Sequence, residues 1–469
     1  MKKLNLFLYL AIAVGLSLLR IFTYGSPELS INALDTGSYV NASKQPQIIS
    51  LSWFTANRSF TLPFIYRILQ GDPGYQTIAT SEPAIPGSPN HLVFQPGFDR
   101  VAVFQWIVSL LSWNLLAFVI YRRMDNPIVG CIGAFLTLAF AFVPQMAEWD
   151  RVMMSESLSF SLFAAELALL IELTQRAAHQ QLSLSVGNLL MLFGWVVITF
   201  FWIFTRDTNT YSLPLLVIGI LAFILWKRND QHVLFIGTFI AAFSLGLFIF
   251  QQYTFRLSQR WLVPVVNNMV TNVFPYSTRV AFFEKRGMPV SPDLLATRGS
   301  MEYNEITEFD SFMDWVKQNG LSAYSNFLLD NPRWAVQSFI HHIQFGFSEN
   351  LQPYFVPRPH ERPAWAMPYG NLLHSTSSSI ILMYILMIIA LVCSGSSKAN
   401  EIAWNGLLIW LFITSLALMF FGYHGEVRSV LRHMMAGVIP MRLAIWLVGV
   451  KVIDRMVCLR NQTSLNTVQ

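Results

Sequence analysis

The sequence predicts an all-α polytopic membrane protein with about ten transmembrane helices. Of its 469 residues, 54% are hydrophobic and 12% are charged, whereas about a quarter of the residues in a typical soluble domain are charged. The mean hydropathy is +0.46, and apolar stretches of about 17–25 residues, the length that crosses a bilayer, recur along the chain. Lipid is therefore the expected solvent for most of the molecule.

Ten apolar stretches are candidate transmembrane helices. They lie near Leu4–Tyr24, Val101–Tyr121, Pro127–Met146, Ser157–Thr174, Val186–Thr205, Tyr211–Trp226, Val233–Gln252, Leu372–Cys393, Ile402–Tyr423 and Met434–Val450. The first stretch follows Lys2 and Lys3 and has features of a signal peptide, but it is long and no clear small-residue cleavage site follows it. We interpret it as an uncleaved first helix.

Basic residues in short loops predict the orientation, because cytoplasmic loops are enriched in Lys and Arg. The relevant residues are Lys2, Lys3, Arg122, Arg123, Arg176, Lys227, Arg228, Lys398, Lys451 and Arg455. All of them fall on one side if there are ten spans and both termini are cytoplasmic. We therefore expect an inner (plasma) membrane protein with two long extracytoplasmic segments.

This topology divides the chain into three parts. We expect a transmembrane module over residues 1–252 whose first outer loop is 25–100, an outer and mostly helical cap over 253–370, and a C-terminal transmembrane module with a short cytoplasmic tail over 371–469. In the first outer loop, the stretches at Ile48–Phe54 and Phe60–Leu69 are apolar but too short to span, which favours interfacial helices.

Composition excludes several other classes of protein. The net charge of +5 is mild, and no stretch of basic residues mixed with aromatics indicates a nucleic-acid groove. Cys131, Cys393 and Cys458 have neither metal-ligand spacing nor the pattern of a disulfide framework. Membrane lipid, rather than nucleic acid, is the expected partner.

Ionisable residues collect in the loops that the topology places on the outer side. The clusters are Asp35 with Tyr39; Glu148, Asp150, Arg151 and Glu156; Arg206 and Asp207; and His424, Glu426, Arg428, Arg432 and His433. Loops are polar by necessity, so each cluster alone is explained by contact with water and headgroups. Their concentration on one face favours a functional site, because ionisable groups at helix ends are costly and tend to be paired or functional.

Asp35 is the main candidate for a catalytic residue. Its carboxylate, close after the first span, could act as a general base on a hydroxyl or hold a divalent metal ion. An Asp followed by Thr36 and Gly37 also fits a turn or a helix N-cap, and the sequence leaves both interpretations open.

The second outer cluster leaves two interpretations open. Glu148 and Asp150 could share a cation or bind an acceptor, but no third metal ligand is identifiable from the spacing. The alternative is an interfacial loop anchored by Trp149.

Three arginines are candidates for binding phosphate. Arg206 stands at a membrane boundary, where a planar, permanent cation suits a lipid phosphate; the alternative is a snorkelling Arg paired with Asp207. Arg428 and Arg432 are four residues apart and would share a helix face. Two like charges so placed favour a phosphate between them, or Glu426 as a partner.

Together these patterns resemble the GT-C class of membrane glycosyltransferases. The resemblance rests on Asp35-x-x-x-Tyr39, Glu148-Trp-Asp150-Arg151 with Ser155-Glu156-Ser157-Leu158, Thr205-Arg206-Asp207, and Glu426-Val-Arg428 with Arg432-His433. The protein O-mannosyltransferase branch has adjacent acids in its first loop, whereas here Thr36 follows Asp35. The resemblance is therefore to uncharacterised bacterial members, and no named substrate carries over.

The resemblance implies transfer of a sugar from a polyprenyl-phosphate carrier to a glycan, lipid or protein acceptor on the outer face of the membrane, with inversion. Asp35 would orient or deprotonate the acceptor hydroxyl. Arg206, Arg428 and Arg432 would bind the donor phosphate, and Glu148, Asp150 and Tyr39 would bind the acceptor or a metal. A divalent cation is the one candidate cofactor.

Two other functions remain compatible with the sequence. A transporter or flippase for lipid-linked glycans would need charges inside the bundle, and Glu166 and Arg442 are the candidates. An oligosaccharide polymerase or ligase would also place arginines in outer loops.

Overall fold

A computed structural model of the chain describes residues 2–24, 31–32, 35–45, 47, 50–70, 78–83, 91–94, 99–299, 306, 308–348, 364–394, 398–428 and 430–466. It confirms a predominantly α-helical, polytopic membrane protein. Eight helices within these ranges are long and apolar enough to cross a membrane. They are Lys2–Tyr24, Asp99–Arg123, Glu156–Ala178, Val186–Ile203, Ser212–Trp226 with the preceding 3-10 turn Asp207–Tyr211, Gln231–Leu257, Ala399–Gly425 and Val430–Asn466.

The other two predicted spans are irregular. Pro127–Phe142 and Pro144–Ala147, which continues as the 3-10 turn Glu148–Arg151, are together long and apolar enough to cross a membrane, but the chain bends by 58° between them. The bend follows from Pro144, which lacks the N–H needed to continue the helix and forces the preceding residue into an extended conformation. The eighth predicted span, Leu372–Cys393, is wrong at its start because its helix begins only at Ser379.

The polar run Ser375–Ser378 explains the late start of that helix. Serine and threonine side chains bond to nearby backbone and compete with helix formation, and the Ser377 hydroxyl accepts a hydrogen bond from the Ser379 N–H at 3.2 Å. The residues before this run form a separate short helix, Ala366–Leu373.

The segment predicted as the first outer loop contains two helices, Thr36–Ser43 and Thr61–Gln70. The helix predicted at Ile48–Phe54 is a 3-10 turn at Leu51–Trp53 in its described part, and Ile48 and Ile49 lie outside the described residues. The helix predicted near Phe60–Leu69 forms, but it buries Leu62 and Tyr66 fully against the bundle. The segment also contains a three-stranded antiparallel sheet, which the sequence analysis did not predict. Its strands are Ile31–Asn32, Ile78–Pro83 and His91–Phe94, with the last in the middle and Phe94 opposite both Ile31 and Ile78.

The second predicted outer segment, residues 253–370, is helical where it is described. Its helices are Leu262–Asn268, Ser277–Glu284, Pro292–Ala296, Asp310–Trp315, Leu321–Asp330 and Pro332–Ser348, with π-helical turns at Met269–Val273 and Val316–Gly320. These helices bury a hydrophobic core of their own around Val266, Phe283, Phe312 and Val316. The division of the chain into three parts remains a prediction.

Charged residues form ion pairs at both ends of the bundle. At one end, Glu172 lies 2.6 Å from Arg123 and 2.7 Å from Arg176. Lys451 lies 3.6 Å from Asp125 at that same end. Basic residues of several predicted cytoplasmic loops therefore meet there, and the predicted outer clusters lie at the opposite end.

Candidate active site

Glu156 is the buried anion at the centre of the site. It is the first residue of the central helix Glu156–Ala178 and its side chain is 0% exposed. The Arg432 Nε atom donates to its Oε1 atom, and the Arg206 Nη1 atom lies 3.4 Å from the same oxygen. Arg206 also donates from Nη2 to the Arg432 carbonyl at 3.2 Å. One carboxylate thus holds two of the predicted phosphate-binding arginines in the interior.

Asp35 is bound by two guanidinium groups. Its Oδ2 atom accepts from Nη1 of Arg432, and its Oδ1 atom accepts from Nη2 of Arg58 at 2.8 Å. Asp35 does occupy the N-cap position of the helix Thr36–Ser43, but its side chain makes no capping hydrogen bond. Its 31% exposed side chain stands at the solvent-facing side of the arginine cluster.

Arg58 is the functional candidate that the sequence analysis missed. Besides Asp35, it donates from Nε to the Ser38 hydroxyl at 2.7 Å and lies 4.9 Å from the centre of the Tyr39 ring. Tyr39 in turn donates to the Ser155 hydroxyl at 3.1 Å. The only sequence signal for Arg58 was its place in the first outer loop.

The electrostatics of the site favour an anionic ligand. Burial raises the pKa of Asp35, but Arg58 and Arg432 more than offset this and hold it below its ordinary value. Arg58, Arg206 and Arg432 face two carboxylates, those of Asp35 and Glu156. Three positive and two negative groups leave one positive charge in excess, and Arg428 with Glu426 at the edge of the cluster adds one charge of each sign.

Arg428 is not placed as predicted. The last helix begins at Val430, so Arg428 precedes it and shares no helix face with Arg432. Its backbone N–H donates to Oε1 of Glu426 at 2.9 Å, and the Asn267 side-chain amide donates to the same oxygen at 3.0 Å. Arg428 therefore lies at the edge of the cluster, beside Glu426.

Arg206 and Asp207 do not pair with each other. The Arg206 side chain is directed to the Glu156 carboxylate, 3.4 Å from its Nη1 atom, and to the Arg432 carbonyl. Asp207 instead accepts 3.1 Å hydrogen bonds from Nε and Nη2 of Arg260. The interpretation of Arg206 as a snorkelling partner of Asp207 is wrong.

Asp150 is engaged elsewhere. Its buried carboxylate forms an ion pair with Arg20 and accepts a 2.7 Å hydrogen bond from the Ser157 hydroxyl. Glu148 is buried on the same 3-10 turn. A small cavity lined by Arg20, Trp106 and Asp150 lies here, and Asp35 is not among its lining residues. The described residues include no group of three His, Cys, Asp or Glu side chains that could hold a metal ion.

Comparisons with known proteins give structural matches alone. No family model matches the chain, and no curated protein matches it. One similar solved structure is the archaeal oligosaccharyltransferase AglB from Archaeoglobus fulgidus in complex with an inhibitory peptide and a dolichol-phosphate, with 14% identity, a TM-score of 0.45, and coverage of 95% of this chain and 50% of that chain. Another is the Archaeoglobus fulgidus oligosaccharyltransferase in the apo form, with 12% identity, a TM-score of 0.43, and coverage of 94% and 50%. The chain spans about half the length of these proteins, and the function proposed for it rests on its own residues.

Proposed function

We propose that this protein is an integral membrane glycosyltransferase that moves a sugar from a polyprenyl-phosphate carrier to an acceptor on the outer face of the membrane, with inversion. The observation that supports this most is the pairing of Asp35 with Arg58 and Arg432, in a cluster of helix ends that carries one excess positive charge. A lipid-linked phosphate diester is a single negative charge held at headgroup depth, which matches both the charge and the place of the cluster.

The proposed donor site consists of Arg58, Arg206, Arg428 and Arg432. Glu156 holds Arg206 and Arg432 in fixed positions, which lowers the cost of organising them when the ligand binds. Arg58 is 30% exposed, compared with 6% for Arg432, so an arriving phosphate would meet Arg58 first.

Asp35 is the proposed base. Paired with two arginines, the Asp35 carboxylate is a poor proton acceptor. A phosphate that binds those arginines would weaken their ion pairs with Asp35 and make the carboxylate more basic. The acceptor hydroxyl would then attack the anomeric carbon while its proton passes to Asp35. The bond between the anomeric carbon and the phosphate oxygen breaks, and polyprenyl phosphate leaves with the electron pair. The arginines neutralise the additional negative charge of the leaving group.

The acceptor is proposed to bind beside Asp35. Tyr39, next to Arg58, is proposed to form part of its wall, and Glu148 remains a candidate for contact with the acceptor. Asp150 forms an ion pair with Arg20 and is proposed to stabilise the turn Glu148–Arg151. The donor set described around Asp35 does not fit a metal ion, since its neighbours are guanidinium groups, and no proposed step uses one.

The proposal is tested with purified protein in lipid nanodiscs and a panel of polyprenyl-phosphate sugars, by measuring release of free polyprenyl phosphate. Asp35→Asn should lower the rate about 100-fold or more, the usual contribution of a general base. Asp314→Asn, an exposed acid of the second outer segment, is the control and should retain the wild-type rate. Full activity of Asp35→Asn, or no release from any donor by the wild type, would contradict the proposal.

Lipid-linked glycan transport and polymerisation or ligation remain the alternatives. For transport, the expected charges within the bundle are Glu166 and Arg442. Glu166 accepts a 3.3 Å hydrogen bond from the Trp195 indole, and Arg442 donates to the carbonyls of Phe347 and Ser375. These two side chains are not paired with each other, and neither contact favours transport over transfer.

A further inference from the structure

Arg260 joins three segments of the chain through one guanidinium group. It follows the helix Gln231–Leu257, at the start of the second outer segment, and its side chain is 5% exposed. Two of its nitrogens bind the Asp207 carboxylate at 3.1 Å. Its Nη1 atom donates to the carbonyls of Phe54 at 3.0 Å and of Ala56 at 3.1 Å. Two of these four hydrogen bonds thus tie the second outer segment to the first, and the other two tie it to the turn that begins at Asp207.

These contacts hold the loop that carries Arg58. On one side of Arg58, Arg260 binds the Ala56 carbonyl. On the other side, the Ser59 hydroxyl donates to the Asp207 carboxylate at 2.9 Å. Asp207 binds both Arg260 and Ser59. The backbone is therefore held on both sides of Arg58.

We propose that Arg260 is a positioning residue that holds Arg58 against Asp35, so that the second outer segment controls the reactivity of Asp35. The contacts run from Arg260 to the loop, from the loop to Arg58, and from Arg58 to Asp35 at 2.8 Å. The significance of this for transfer rests on the proposed function, whereas the contacts themselves do not.

Loss of Arg260 should leave the fold intact and act locally. The Phe54 ring stacks on Phe60 at 4.6 Å and packs against Phe204 at 5.1 Å, and the Thr61 N–H donates to the Phe204 carbonyl at 3.0 Å. These anchors do not involve Arg260. The residues released would be those around Ala56, which bring Arg58 to Asp35.

The consequence for Asp35 follows from the charges that face it. Arg58 and Arg432 bind it directly, His433 and Glu426 lie close enough to interact electrostatically, and Arg432 also binds Glu156. If Arg58 withdraws, Arg432 alone opposes the cost of burying the charged carboxylate. The pKa of Asp35 should then rise.

The Arg260→Lys variant distinguishes two roles of Arg260: holding the loop in position, and only forming an ion pair with Asp207. A lysine can keep an ion pair with Asp207, but a single ammonium group cannot reproduce a planar fork that binds a carboxylate and two carbonyls together. Arg260→Lys should therefore behave like Arg260→Gln if the role of Arg260 is to hold the loop.

The test is an infrared titration of Asp35 in nanodiscs, with Asp35→Asn identifying its carboxyl band. Arg58→Gln, Arg260→Gln and Arg260→Lys should each shift the titration of Asp35 to higher pH, and Arg58→Gln/Arg260→Gln should shift it no further than Arg58→Gln. Arg256→Gln, an exposed arginine of the preceding helix, should leave it unchanged. Ser59→Ala, which removes the other attachment, should cause a smaller shift in the same direction and serves if the position-260 variants fail to fold.

A wild-type titration in Arg260→Lys, or additive shifts in the double variant, would overturn the proposal. The titration needs neither donor nor acceptor, so its outcome is independent of the release assay. A shift without any transfer activity would support the role of Arg260 and contradict the proposed function. Transfer activity without a shift in the titration of Asp35 would support the proposed function and contradict the role of Arg260.

Discussion

Glu156 is the residue on which the arginines of the site depend. It is fully buried and binds both Arg206 and Arg432, so its neutralisation would leave two buried guanidinium groups with too little opposing charge. We predict that Glu156→Gln lowers the free energy of unfolding by about 3–5 kcal/mol, the usual cost of breaking a buried ion pair. Denaturant unfolding in detergent measures this, with the exposed Glu284→Gln as control. An unchanged stability would show that Glu156 does not organise the cluster.

Glu426 should give the opposite pH dependence from Asp35. Burial raises the pKa of Glu426. Hydrogen bonds from the Arg428 N–H and the Asn267 amide lower it, but by less than burial raises it. Because its folded pKa is raised, its contribution to stability is complete below the ordinary carboxyl value of about 4.3 and is lost as pH rises through the folded pKa. For Asp35, whose pKa is lowered, the contribution is present above the ordinary value and is lost as pH falls.

The measurable result is a difference in melting temperature. Relative to the wild type, Glu426→Gln should gain stability as pH rises from 4 to 8, because the wild type must then ionise a buried carboxyl group. Asp35→Asn should lose relative stability as pH rises from acid toward neutral. A pH-independent difference for Glu426→Gln would contradict the environment described for this side chain.

The sequence indicated most residues of the candidate site but not the ion pairs between them. Asp35, Arg206 and Arg432 were recognisable because ionisable groups at helix ends are costly and few. Arg58 was not, since its partner lies 23 residues earlier in the chain and only the fold brings them together. The prediction that Arg428 and Arg432 share a helix face was wrong, because a spacing of four residues does not indicate the residue at which a helix begins.

At the scale of elements, the close packing of the last two helices, Ala399–Gly425 and Val430–Asn466, sets the position of Arg432. Gly437 lies so close to the helix Ala399–Gly425 that a Cβ atom would stand 2.3 Å from the Ser415 carbonyl oxygen and 2.6 Å from the Met419 nitrogen. Both contacts are with backbone, which cannot rotate away. A Cβ at Gly449, in the same helix, would meet nothing within 4 Å.

We predict that Gly437→Ala lowers the free energy of unfolding by about 1–3 kcal/mol, the usual cost of overpacking, and also weakens binding of the donor by displacing Arg432. Gly449→Ala should be neutral or stabilising by up to about 1 kcal/mol, since alanine is the better helix former. Thermal unfolding in detergent, together with binding of polyprenyl phosphate, distinguishes the two variants. Equal behaviour of both would contradict the close approach of the helices.

Element types were easier to predict than element boundaries. Each of the ten apolar stretches contains a helix, because lipid requires the backbone to satisfy its own hydrogen bonds. The bend at Pro144 and the late start at Ser379 are local effects of residues inside an apolar stretch, which an average over hydropathy conceals. In the small sheet, the strand Ile31–Asn32 pairs with His91–Phe94, about 60 residues further along the chain, and no local pattern in the sequence indicates that pairing.

At the scale of the whole molecule, the two ends of the central helix separate two groups of charges. Glu156 and Glu172 are 16 residues apart on Glu156–Ala178, which corresponds to about 24 Å along a helix, close to the thickness of a hydrocarbon core. Glu172 lies with Arg122, Arg123 and Arg176, and Glu156 lies with the candidate site. If the positive-inside rule holds, the site faces the outer side of the membrane.

This orientation predicts which positions an impermeant thiol reagent reaches in intact cells. In a variant whose three native cysteines are replaced by serine, Lys317→Cys in the second outer segment should be labelled from outside. Arg228→Cys, in the exposed loop after the helix Ser212–Trp226, should be labelled only after the membrane is permeabilised. The reverse pattern would place the candidate site on the cytoplasmic side. Labelling of both positions from outside would mean that the number of spans between them is even, which contradicts ten alternating spans.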